Sequence, residues 1–336
     1  MPPDLSLAEL TKFGIRPEDE GPHPFDERIE WWNESWFWDW FDEEQRLAGH
    51  CRIGLFPSQR RAWLWLFLFR DGEWVALEEP RLPLAAFALP RIAYEGWGLT
   101  VAYEPLAPLR HGRLSVAGIG RVVSGARAGM IVPVAADLEF QATGAAHTTG
   151  RSNIAGHDSQ EFDACRFEQP VDVHGSLRID GDALPFRGRG ERDHSWGPRP
   201  WNMEWTFIVV SNAALRLQCV EVAIPGLPRF GVGYLAREET QSLSEVKVAL
   251  TFDERSLVRP LAGRFDVVAD DGTRLGGRVE PVSTAEIDLT HTLVPPERSI
   301  YRRALVRVLP DGGGAPLLGW TEFHYFPGRD GDRPAA

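Results

Sequence analysis

The chain has 336 residues, a formal net charge of −12, 43% hydrophobic and 25% charged residues. That length exceeds a usual single domain and leaves room for two cores, and an acidic surface repels phosphate backbones, which excludes nucleic acid as the natural partner. Three distant cysteines, Cys51, Cys165 and Cys219, make neither a disulfide framework nor a zinc motif and fit a reducing cytoplasm.

The opening MPPDLSLAEL has no basic region followed by an apolar one, so no secretory signal is expected. The longest apolar run, Ala62 to Phe69, is too short to span a bilayer. Residues 1–28 read as a lead-in. Ser6-Leu7-Ala8-Glu9 suits a capping box for one short helix, and Pro17, Pro22 and Pro24 hold the chain extended after it.

Strand patterning starts at Ile29 and runs to Asp42. At period two, Trp32, Glu34, Trp36, Trp38 and Trp40 share one face, which puts an acid in a row of indoles. Cys51–Pro57 and Arg61–Arg70 read as the next strands, and Asp71-Gly72 as a hairpin turn leading into Trp74–Leu77. Further strands are predicted at 99–103, 114–119 and 134–141. Residues 142–160 are polar and Gly/Ser/Thr-rich and read as a loop, with His147 and His157 as solvated side chains. Strand character resumes at 161–173 and 177–179, before the turn Asp180-Gly181.

The densest chemistry follows: Gly190-Glu191-Arg192-Asp193-His194-Ser195-Trp196-Gly197-Pro198-Arg199-Pro200-Trp201. Glycines and prolines on both sides predict that it is not a regular strand. Strands are then expected at 204–210, 215–222, 230–236, 246–252, 264–269, 278–282, 304–308 and 319–326, with turns at Ser211-Asn212, Asp270-Asp271-Gly272 and Asp311-Gly312. Short strands, Asp-Gly turns and scant helical periodicity give an all-β protein, closed as antiparallel barrels or strongly curved sheets. The boundaries read as a domain over 29–186, a second over 187–327 with the dense motif at its start, and a frayed tail at 328–336.

Several motifs are set aside. Gly231-Val232-Gly233-Tyr234-Leu235-Ala236 fits a dinucleotide fingerprint, but it sits among strands with no helix after it. No G-x-S-x-G elbow surrounds Ser195. His194 and Asp193 offer two metal ligands with no third evident, so no metal and no cofactor is assigned.

Two blocks together, Trp32-Asn33-Glu34-Ser35-Trp36-Phe37-Trp38-Asp39 with Arg52-Ile53-Gly54-Leu55-Phe56-Pro57, and the dense Arg-Asp-His-Ser-Trp-Gly motif, resemble bacterial proteins related to the acyclic carotenoid 1,2-hydratases and the AttH-like proteins. The resemblance covers roughly residues 25–327. It implies two lipocalin-like (calycin-type) barrels packed together and a hydratase, isomerase or cyclase acting on a hydrophobic isoprenoid-like or polyketide-like small molecule.

Acid–base chemistry on an unactivated alkene needs an acid in a dry pocket, a base for water and a wall that tolerates a carbocation. The candidate acid is Asp193, with Glu34 second. His194 is the candidate base or proton shuttle. Trp32, Trp36, Trp196 and Trp201 are candidate pocket walls, and Arg199 a group that orients an acid or a substrate oxygen. The alternatives are a salt-bridge clasp, in which Arg192, Asp193 and Arg199 tie two barrels together, and a non-catalytic carrier of an apolar ligand. Oligomeric state is left open.

Overall fold

The structure is a computed structural model and describes residues 5–89, 91–148, 164–199, 201–226, 228–252, 260–289 and 297–326. The chain divides into two units, Met1–Arg199 and Pro200–Ala336. The predicted tail and His157 lie outside the described residues.

In the first unit, ten strands follow a short capped helix, Leu7–Leu10, in which Ser6 and Glu9 cap each other as the sequence predicts. They are β1 (Trp32–Phe41), β2 (Leu47–Phe56), β3 (Arg61–Arg70), β4 (Glu73–Pro83), β5 (Ile92–Gly96), β6 (Leu99–Ala107), β7 (His111–Val122), β8 (Ile131–Ala142), β9 (Cys165–Ile179) and β10 (Asp182–Pro198). All pair antiparallel, in the order β4-β3-β2-β1-β10-β9-β8-β7-β6-β5. The sheet bends back on itself, because β4 also pairs with β7 at Val75–Val122 and Ala76–Arg121. Its concave side holds an apolar core that includes Trp36, Trp38, Trp40, Leu64, Leu66, Leu114, Leu138 and Phe140. The alternation in β1 thus places its tryptophans inward. The turns Asp71-Gly72 (φ 46° and 93°) and Asp180-Gly181 (φ 54° and 87°) take the left-handed pair of conformations that lets a two-residue hairpin match strand twist.

The second unit is a closed eight-stranded barrel: β11 (Glu204–Ser211), β12 (Arg216–Ala223), β13 (Phe230–Ala236), β14 (Thr240–Phe252), β15 (Pro260–Ala269), β16 (Arg274–Asp288), β17 (Ile300–Pro310) and β18 (Leu317–Tyr325). Each strand pairs with the next, and β11 with β18 closes the ring. Ile208, Leu217, Phe265, Val267 and Val306 are part of its core. The protein is therefore all-β. No helix among the described residues is long and apolar enough to cross a membrane, and no disulfide joins the three cysteines.

Three sequence expectations are corrected. Residues 190–198 of the dense motif are regular strand, in β10, which pairs with β9 over 182–196 and with β1 over 189–198. Gly190 serves close approach rather than breaking the strand: a Cβ on it would lie 1.9 Å from the carbonyl oxygen of Asp39. Because β10 hydrogen-bonds to both neighbours, it belongs to the first unit, and the division falls after Arg199 rather than at 186/187. His147 is buried, paired through its backbone to Glu168 and packed edge-on to Phe13 at 4.6 Å, and burial pushes its pKa down to about 4.

Candidate functional site

β1 and β10 run antiparallel, with Glu34 opposite Trp196, Trp36 opposite His194 and Trp38 opposite Arg192. Residues directly opposite share a face. The inner face of this pair therefore carries Glu34, Trp36, Trp38, Arg192, His194 and Trp196. Ser35, Phe37, Asp193 and Ser195 take the other face, where the Ser35 and Ser195 hydroxyls meet at 3.0 Å.

The lead-in segment completes the inner face. Leu10 and Ile15 pack with Leu109, Ala146 and Phe167, and Trp196 adjoins them. A 3-10 turn at Pro17–Glu20, with Pro17 at its first position, then drives two acids inward. The Glu20 carbonyl accepts from the Trp36 indole N–H at 3.2 Å, and the Asp19 carbonyl lies 2.8 Å from His194 Nδ1.

Two polar clusters result. In the deeper one, Arg192 donates to both carboxylate oxygens of Glu20 (2.5 and 2.9 Å) and to Gln169 Oε1 (2.6 and 2.9 Å). Tyr103 and the Leu109 amide also donate to Glu20 (2.5 and 2.9 Å), and Gln169 donates to the carbonyls of Leu109 and Gly144. Burial acts to raise the Glu20 pKa, but Arg192 and the other donors outweigh it and hold it down to about 2. A buried ion pair with its hydrogen bonds met organises a fold; without them it would be costly.

The second cluster is a triad. Glu34 Oε1 lies 3.0 Å from His194 Nε2 and 2.8 Å from His23 Nδ1, and the His23 amide donates to both Glu34 oxygens at 3.0 and 3.1 Å. The side chains of Glu34 and His194 are each 1% exposed, that of His23 18%. A carbonyl can only accept, so His194 Nδ1 carries a proton. Nε2 then faces a carboxylate oxygen, and one further proton must lie between those two atoms. Burial pushes the Glu34 pKa up, but hydrogen bonds from His194 and His23 outweigh it and keep the carboxyl below the ordinary range. Aromatic rings cage the triad. His23 stacks on Trp196 (4.0 Å, 6°), His194 on Trp36 (4.5 Å, 20°), and Phe167 meets His194 edge-on at 5.8 Å.

Glu34, His194, Trp36 and Trp196 are thus brought together. Asp193 is not with them, because neighbours in a strand point to opposite faces. Its carboxylate accepts from Arg166 at 3.0 Å, and the expectation of an adjacent Asp193–His194 acid–base pair is corrected. Arg192 does form a clasp, but with Glu20 of the lead-in. Arg199 sits at the strand end, donating to Asn33 Oδ1 at 3.3 Å, near the half-buried Trp32. Trp201 lies in the second unit, edge-on to Trp205 at 6.2 Å. The site residues that sequence reasoning missed are Asp19, Glu20, His23, Tyr103 and Gln169. The one available signal was a histidine fixed between two prolines, Pro22 and Pro24.

The Arg166 partner of Asp193 has a side chain 37% exposed, so their ion pair is screened. Asp193→Asn is expected to shift the unfolding free energy by no more than about 1 kcal/mol in urea titration. A loss several times larger would show that Asp193 belongs to the buried network after all.

Solved structures share this fold. An AttH-like protein from Nitrosomonas europaea matches with a TM-score of 0.63 at 14% identity, covering 93% of this chain and 96% of that one. Kievitone hydratase from Nectria haematococca matches with a TM-score of 0.61 at 11% identity, covering 96% and 97%. CghA in complex with Sch210972 matches with a TM-score of 0.55 at 12% identity, covering 93% and 95%. At such identities the likeness is one of fold. No curated protein sequence matches the chain. Residues 16–327, nearly the whole chain, match the family described as a domain of unknown function, DUF7064, and the protein belongs to that family.

Proposed function

We propose that the protein is an enzyme that transfers protons to and from an apolar isoprenoid-like or polyketide-like small molecule, in a hydration, dehydration, isomerisation or cyclisation that needs no redox cofactor. One observation carries this reading: the 3.0 Å contact between His194 Nε2 and Glu34 Oε1 inside an aromatic cage, which calls for a proton between the two atoms. A proton there is held in a dry setting, where electrostatic interactions are strong. With Glu34 ionised, the imidazolium of His194 is the acid, and its charge lies on the Trp36 ring face, where cation–π attraction favours it. The same indoles suit a substrate carbon that becomes cationic on protonation. Glu34 takes the proton back, and His23, the most exposed of the three, exchanges it with the outside.

Structures of this fold include kievitone hydratase and CghA solved with Sch210972. The resemblance in the Trp-Asn-Glu-Ser-Trp and Arg-Asp-His-Ser-Trp-Gly blocks points the same way.

The test is a turnover assay on a panel of polyenes and prenylated phenols, with product mass as the readout. Glu34→Gln keeps the shape of the side chain and removes its charge. It is expected to lower kcat/KM by about 10²–10⁴-fold with an almost unchanged circular dichroism spectrum, and His194→Asn to do the same, while Asp193→Asn stays close to wild type. Because Glu34 titrates below 4.5, any fall of kcat/KM that it causes on the acid side lies below that pH. A folded Glu34→Gln protein at full rate would sink the reading. Binding of the panel with no product from the wild type would make the protein a carrier.

A further inference from the structure

We infer that His23, Glu34 and His194 form a binding site for a divalent first-row transition metal ion of the zinc type. Their ligating atoms lie within 4.8 Å of one another, and they come from three different segments: the lead-in, β1 and β10. Two imidazoles and one carboxylate are a donor set suited to such an ion, and three protein ligands leave a position open. The inference uses the same side chains as the proton-transfer reading but does not depend on turnover.

The surroundings match what a metal-binding histidine needs. A ligating imidazole is fixed by a hydrogen bond from its far nitrogen. His194 has that bond, from Nδ1 to the Asp19 carbonyl at 2.8 Å, and it leaves Nε2, facing Glu34, as the nitrogen that takes a metal ion once the proton between them is lost. For His23 the far nitrogen, Nε2, lies 3.8 Å from Asp19 Oδ1. That gap is too long for a hydrogen bond. It is the contact that shortens when Nδ1 takes the metal and the proton moves to Nε2. Asp19 thus serves both histidines, one through its carbonyl and one through its carboxylate.

The proton count balances. Without metal the triad holds three protons: one on His194 Nδ1, one between His194 Nε2 and Glu34, and one on His23 Nδ1. With metal it holds two, on His194 Nδ1 and His23 Nε2. Binding a divalent ion therefore releases one proton and replaces the cation that joined the carboxylate to the imidazoles.

The experiment is calorimetric titration of the full, chelator-treated chain with zinc chloride, repeated with cobalt(II) and followed by its visible d–d absorption. One ion per chain is expected at a Kd near or below about 1 μM, with about one proton released, as judged from buffers of different ionisation enthalpy. His194→Asn and Glu34→Gln are expected to weaken binding by at least about 100-fold. His23→Asn, at the more exposed position, gives the same result with the least risk to folding. Absence of zinc binding tighter than about 100 μM in the wild type overturns the inference, whereas 1 μM corresponds to about −8 kcal/mol. Binding that persists undiminished in folded His23→Asn and His194→Asn proteins overturns it too. A wild type that turns over substrate but binds no zinc leaves the proton-transfer reading standing and this one lost. Zinc bound at the triad with no turnover separates them the other way.

Discussion

Replacing Arg192 by alanine is expected to lower the unfolding free energy by about 3–5 kcal/mol, the largest single-residue effect on stability in the first unit. The substitution leaves Glu20, 1% exposed, with its charge buried and its bidentate partner gone. It also strips Gln169 Oε1 of both its donors from Arg192. Removing both charges, as in Glu20→Gln with Arg192→Met, is expected to cost much less than Arg192→Ala alone, because no unpaired charge remains. The pH dependence has a definite sign. The carboxyl of Glu20 titrates near 2 in the folded protein against 4.5 ordinarily, so its contribution is complete above pH 4.5 and is lost as pH falls towards 2. Urea midpoints at pH 7 and pH 3 check both statements. Wild-type stability in Arg192→Ala at pH 7 would show that the pair is decorative.

Gly190→Ala is the second large effect. The added methyl would sit 1.9 Å from the Asp39 oxygen and 3.1 Å from Trp40 Cα, both backbone atoms that no rotamer change can move. β10 must then part from β1, close to the bond from the Glu191 amide to Asp39 Oδ1 at 2.8 Å. A loss of about 3 kcal/mol or more is expected. Gly312→Ala is the control, since nothing lies within 4 Å of its added methyl, and a change within about 0.5 kcal/mol is expected there. Equal melting temperatures for the two variants would contradict the packing of β1 on β10.

The period-two alternation from Trp32 to Trp40 made one face of β1 legible, and with it the placement of Glu34 among indoles. The Asp-Gly pairs at 71–72 and 180–181 marked hairpins because only left-handed conformations close so short a turn. The motif in β10 was misread because glycine and proline signal a break only when no neighbouring strand needs the space that a missing Cβ leaves. Asp193 and His194 are adjacent in sequence but lie on opposite faces of β10, a difference that the composition of the motif does not carry. The parts from the lead-in were not legible. Asp19, Glu20 and His23 have no periodicity, and their partners His194, Arg192 and Glu34 lie 11 to 175 positions away. Long-range pairing of this kind leaves no trace in local composition.

That separation sets an order of assembly. Asp19 and Glu20 are made before their partners on β10, which follow 172 to 175 residues later. At the usual 5–20 residues per second, the lead-in waits on the order of 10–35 s for them during synthesis. Until β10 arrives, the triad is incomplete and the tryptophan row of β1 lacks one of its two neighbouring strands. Closing the sheet and completing the site are therefore one late event. Refolding should show the Trp36 and Trp196 fluorescence change and the recovery of any triad-bound ion in the same slow phase, with no earlier species that has one without the other.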